Sequence, residues 1–118
     1  MNCNCEVNTI LCTEGTSLSL HFDFGEDISS FTNAIFVVRK NADSKPVIAK
    51  TVTGLLGNGV DIALTPAEMG NFTFDANKNQ ATYIWGLDLM DATTRVNIYP
   101  KTGEVAPLFV VYKHIAEE

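Results

Sequence analysis

The sequence predicts an all-β protein, an antiparallel β-sandwich of about seven strands with one short helical turn. Three observations lead there. Apolar and polar residues alternate in run after run, which is the two-residue period of a half-buried strand. Gly, Asn, Asp and Pro interrupt those runs roughly every ten residues, a spacing typical of all-β domains. Helix-start chemistry occurs in one place, after Leu64. A small closed barrel fits the same pattern.

Residues 1–16 read as an N-terminal arm or first strand, with Val7, Ile10 and Leu11 as its apolar positions, and residues 17–115 as the sandwich domain. Leu18, Leu20, Phe22 and Phe24 alternate strictly with Ser17, Ser19, His21 and Asp23, the clearest half-buried strand in the chain. Gly25, Glu26 and Asp27 turn the chain, and Ile28 to Phe31 is expected to cross the end of the sandwich. Ala34 to Lys40 is β-branched and aromatic, as strands prefer. The polar turn Asn41–Pro46 then returns the chain as a hairpin along Val47–Val52. Gly57-Asn58-Gly59 is a strong turn signal because both residue types accept positive φ. Val60, Ile62 and Leu64 alternate against Asp61 and Ala63 as a short strand.

Thr65-Pro66-Ala67-Glu68 is a capping box with Pro at the first helical position, and Gly70 and Asn71 limit its helix to a turn or two. After the polar loop Asp75–Gln80 comes Ala81 to Met90, read as the central strand. Tyr83, Trp85, Leu87 and Leu89 share one face of it; Thr82, Gly86 and Asp88 share the other. Asp91–Thr94 turns the chain. Arg95–Tyr99 returns with Val96 and Ile98 on one face and Arg95, Asn97 and Tyr99 on the other. Pro100–Gly103 turns it again. Leu108–Tyr112 is apolar on both parities, as for a strand covered on two sides or lying against a neighbour, with Pro107 at its start or at an edge.

The 118 residues suit one domain, and 46% hydrophobic with 19% charged residues is ordinary globular usage. The net charge of -6 repels phosphate backbones, and the eight basic residues are scattered, so no nucleic-acid partner is expected. Met1 to Val7 holds neither the basic nor the apolar segment of a signal peptide, and no apolar run approaches the ~18 residues of a membrane helix. The expectation is a protein made in the cytoplasm, without a membrane partner.

Cys3 and Cys5, if extended, place their Cα atoms about 6.6 Å apart, at the outer limit for a disulfide. With Cys12 they would need His21 or His114 as a fourth metal ligand, and the spacing is not that of a standard zinc site; reduced thiols are the expectation. No nucleophile, base and orienting group fall into a recognisable pattern. His21 lies on a polar strand face and His114 in the tail, while Glu26, Asp27, Asp88 and Asp91 read as turn and solvent-face residues. Asp75–Gln80 has one carboxylate, too few for a calcium loop. Tyr83 and Trp85 would stack on a sugar only if exposed, and their parity with Leu87 and Leu89 assigns them to the core. The expectation is therefore no catalytic, cofactor-binding or metal-binding residues, no cofactor and no enzymatic activity.

The run Gly59–Glu68, the strand Tyr83-Ile-Trp-Gly-Leu-Asp-Leu89, a turn with a short strand, Gly103 and a final apolar strand together resemble a group of small phage and prophage proteins. Gly86 stands where an aspartate is common in that group. The resemblance covers roughly residues 17–115. It implies an immunoglobulin-like sandwich and a structural role in a tail, baseplate or head fibre, assembled in the host bacterium. It also implies that the partners are other copies of the chain or other virion proteins. Edge strands, the N-terminal arm and the faces bearing Tyr99 and Tyr112 would make the contacts. The alternative is a carbohydrate-binding or adhesin-like module with an aromatic cleft on one sheet face.

Overall fold

Alternation of apolar and polar residues becomes eight strands in the computed structural model, which describes residues 9–25, 27, 28, 30–53, 55, 57–100 and 103–115. They are β1 (Ile10–Thr13), β2 (Leu18–Asp23), β3 (Asn33–Arg39), β4 (Pro46–Thr53), β5 (Gly59–Leu64), β6 (Gln80–Met90), β7 (Arg95–Tyr99) and β8 (Leu108–Tyr112). Six of them form one sheet in the order β1-β8-β6-β3-β4, with β7 also paired to β6; β2 and β5 form a second sheet.

The longest alternating run is the hub. One edge of β6 pairs with β3 from Ile84 to Met90. Its other edge serves two partners end to end, β8 along Gln80–Ile84 and β7 along Leu87–Met90. The chain passes from β7 to β8 beside Trp85 and Gly86, where the Trp85 amide donates to Pro107 O at 3.1 Å.

The core lies between the two sheets. Phe36, Tyr83, Trp85, Leu87, Leu89, Phe109 and Val111 from the large sheet meet Val60, Ile62 and Leu64 from the small one. Phe22 bridges the layers, with ring centroids 5.4 Å from Trp85 and 6.3 Å from Phe36. Such pairs add to the area burial that drives folding. Two strands cannot cover the inner face of a six-stranded sheet, and Ile28, Met69 and Phe72 from connecting segments cover more of it.

The capping box forms as expected. Thr65 N–H donates to Glu68 Oε1 at 2.8 Å, and Glu68 N–H to Thr65 Oγ1 at 3.2 Å. The helix it starts is a single 3-10 turn, Glu68–Gly70, which buries Met69. Asn41 caps the β3–β4 turn, its Oδ1 accepting from Asp43 N–H.

Three expectations change. The large sheet is mixed, because β1 runs parallel to β8. The tight turn after β1 carries the chain to the other layer, so β1 joins the sheet beside the last strand, and alternation carries no information about strand direction. Next, the residues of β7 do not keep simple parity. A register shift between Leu87 and Asp88 brings Tyr99 opposite Leu87. Its ring therefore turns inward, 5.1 Å from Trp85 and 6.0 Å from Phe22, instead of forming an outer contact face. Finally, the turn at Gly57–Gly59 needs no positive φ at Asn58. A Cβ on Gly59 would meet Phe22 O at 2.6 Å, so close strand approach is what requires that glycine.

Candidate functional site: an apolar trough on the outer face of the large sheet

The outer face of the large sheet carries apolar residues to which the sequence reading assigned no face, and they lie side by side. Ile35 and Val37 from β3 stand next to Asp88 and Gly86 of β6, and Ile84 stands next to Arg39. Ile35, Val37, Ile84 and Gly86, with Pro100 and Ala106 from the β7–β8 connection, line a trough of about 290 Å³. Gly86 contributes no side chain to it. A Cβ there would lie 3.1 Å from Tyr99 O, so a side chain would both fill the trough and press on the β7 backbone.

Arg39 and Arg95, the two arginines of the chain, stand on the rim. They are held differently. Arg95 Nε donates to Asp88 Oδ2 at 2.7 Å, and Asn97 Nδ2 donates to Asp88 Oδ1 at 3.0 Å. The Asp88 carboxylate is thereby matched on both oxygens. Arg39 donates Nη1 to Ser44 O at 2.7 Å, and among the described residues it has no carboxylate within ion-pair distance.

The apolar surface continues sideways. Leu108 pairs with Ile84 across β8 and β6, and Val110 lies between Thr82 and Leu11. Leu11 is 62% exposed and Tyr112 40%. Val110 is buried between its neighbours, so the two-sided cover expected for β8 holds at that residue and fails at Leu108 and Tyr112.

A second cleft of about 310 Å³ opens beside β1 and β2, lined by Ile10, Leu20, His21, Phe22, Asp23, Trp85 and Tyr99. Its aromatic residues belong to the core, and Trp85 is 3% exposed.

The residues weighed in the sequence for chemistry are far apart. His21 pairs across strands with Asp61, Nδ1 to Oδ1 at 2.5 Å, on the exposed face of the small sheet. His114 donates its backbone N–H to Glu14 at the other end of the chain's path. Asp91 accepts from the amides of Thr93 and Thr94, which hold its carboxyl below the usual range. Glu68 is likewise lowered, by the Thr65 amide and by Lys50. Asp27 and Asp75 are exposed; Glu26, Cys3 and Cys5 lie outside the described residues. Cys12 is a free thiol whose pKa desolvation pushes up to about 12. Among the described residues, no three His, Cys, Asp or Glu side chains gather as metal ligands, and no helix is long and apolar enough to cross a membrane.

Sequence reasoning missed Arg39, Arg95 and the trough. The available signal was Gly86, since a glycine inside a strand marks close backbone approach. Neither the known protein-family models nor the curated proteins contain a match to this chain.

Proposed function

We propose that the chain is an immunoglobulin-like domain acting as a non-enzymatic assembly subunit of a phage or prophage particle, through its sheet faces. The observation that carries the assembly role is the outer face of the large sheet. Leu11, Leu108 and Tyr112 are exposed on it, next to a trough floored by Ile35, Val37 and Ile84. Contiguous exposed apolar surface of this kind marks a protein contact site. Repetition of one modest contact around a particle gives a stable assembly.

Two features support the immunoglobulin-like reading. The order β1-β8-β6-β3-β4 over β2-β5 parallels a variable-type sandwich that lacks some of its strands. In addition, Tyr83 near the start of β6 donates its hydroxyl to Thr73 O at 3.2 Å and accepts from Thr73 N–H at 3.0 Å. That bond back to the preceding corner is similar to the tyrosine corner of such domains.

The carbohydrate-binding alternative draws on the cleft beside β1 and β2. It ranks second because Tyr83 and Trp85 are 1% and 3% exposed and offer no stacking face. The test is peptide mass spectrometry on particles purified from the bacterium that carries the gene. The chain is expected at a fixed, repeated stoichiometry against the other particle proteins; particles that form without it overturn the role.

A further inference from the structure

We infer that the trough is one half of a two-fold interface between copies of this chain, and that the other half is the Glu104–Val105 loop on its rim. The inference rests on the assembly reading above and names the contact.

Val105 is 91% exposed, the most exposed of the large apolar side chains among the described residues, and Glu104 beside it is also exposed. One residue further, Ala106 lines the trough. An apolar knob next to a carboxylate thus borders an apolar hollow whose far rim carries Arg39, the arginine that has no carboxylate partner among the described residues. Knob and hollow are both apolar and carry opposite charges beside them, yet Val105 does not fill the hollow of its own chain, because it points into solvent while its neighbour Ala106 forms the wall.

Self-complementary features lying side by side define an isologous contact. A two-fold axis between them sets the knob of each copy into the hollow of the other. Val105 of one copy would rest on Ile35, Val37 and Ile84 of the second, and Glu104 would meet Arg39. Asp88 also lines the trough. Arg95 and Asn97 already satisfy it, so it does not repel the incoming carboxylate. The occupant is therefore an acidic, apolar loop of a second copy. Trp85 and Tyr99 also border the trough, but Trp85 is buried and the Tyr99 ring packs against it, so a sugar finds little stacking surface, and the net charge of -6 repels a nucleic-acid backbone.

The experiment is sedimentation velocity over a concentration series on the wild-type chain and on V105D, R39E, E104R and the R39E/E104R double variant. All three substitutions lie at exposed or rim positions, and circular dichroism checks that each of the four variants folds. Wild type is expected to reach twice the 12.9 kDa chain mass. V105D and each single charge reversal are expected to lose the dimer, and the double variant to regain it by exchanging the charges across the interface. A wild type that stays monomeric at every concentration overturns the interface, as does a dimer that V105D and R39E leave unchanged. Monomers that are nevertheless found in purified particles overturn this contact and leave the assembly role standing. A dimer absent from particles does the opposite.

Discussion

Three residues show how single side chains are used. Tyr83 buries its ring against Phe72, at 5.0 Å between centroids, while its hydroxyl ties the β5–β6 connection at Thr73. Tyr83→Phe keeps the ring and removes those bonds, so urea unfolding should show a loss of about 1 kcal/mol. Gly86 is different, because its value lies in having no side chain. Gly86→Val would drive a branched side chain toward Tyr99 O and fill the trough; overpacking of this sort costs roughly 1–3 kcal/mol. Cys12 is a thiol that burial keeps protonated. Its folded pKa of about 12 lies above the 9.0 of an ordinary exposed thiol, so the folded state binds the proton more tightly. The stability linked to that proton is complete below pH 9.0 and is lost as pH rises toward about 12. In the native protein, alkylation of Cys12 near neutral pH should be slow, and urea should accelerate it, as read by peptide mass spectrometry.

At the scale of elements, the capping box and β6 show how local chemistry is turned to tertiary use. The 3-10 turn is too short to be stable alone. It persists because Met69 is buried and because Glu68 binds both the Thr65 amide and Lys50 Nζ on β4. Thr65→Ala removes the acceptor for the Glu68 amide and should lower stability by about 1 kcal/mol in the same urea assay. Strand β6 is organised by how it shares its edges. Because β7 and β8 divide one edge, the chain between them lies outside the regular pairing. That interruption creates the trough and lifts Val105 into solvent.

For the whole molecule, one aromatic core joins both layers, so they should unfold together. Trp85 is central to that core and reports on it: its emission and the far-ultraviolet circular dichroism should change with one midpoint in urea. Two separate midpoints would show that the small sheet melts independently. Glu68 and Asp91 have carboxyls held below their usual range by amide hydrogen bonds. Their contribution is present above the unfolded pKa and is lost as pH falls through the lowered folded values. Thermal melts should therefore show stability declining in acid below the ordinary carboxylate range. E68Q and D91N should flatten that decline.

The amino-acid sequence by itself determined the strands, the reciprocal cap at Thr65 and Glu68, and the assignment of Tyr83 and Trp85 to the interior. Each of these depends on residues within a few positions of one another, where side-chain alternation and hydrogen-bond reach are local rules. Only the tertiary structure decided the direction of β1, the inward turn of Tyr99 and the gathering of Ile35, Val37, Arg39 and Ile84 with Pro100 and Ala106 around one trough. Those features depend on which strand edges pair and where one register slips, and pairing joins residues dozens of positions apart. Alternation states which face a side chain takes, but the neighbours it meets there are set by the order of strands in the sheet.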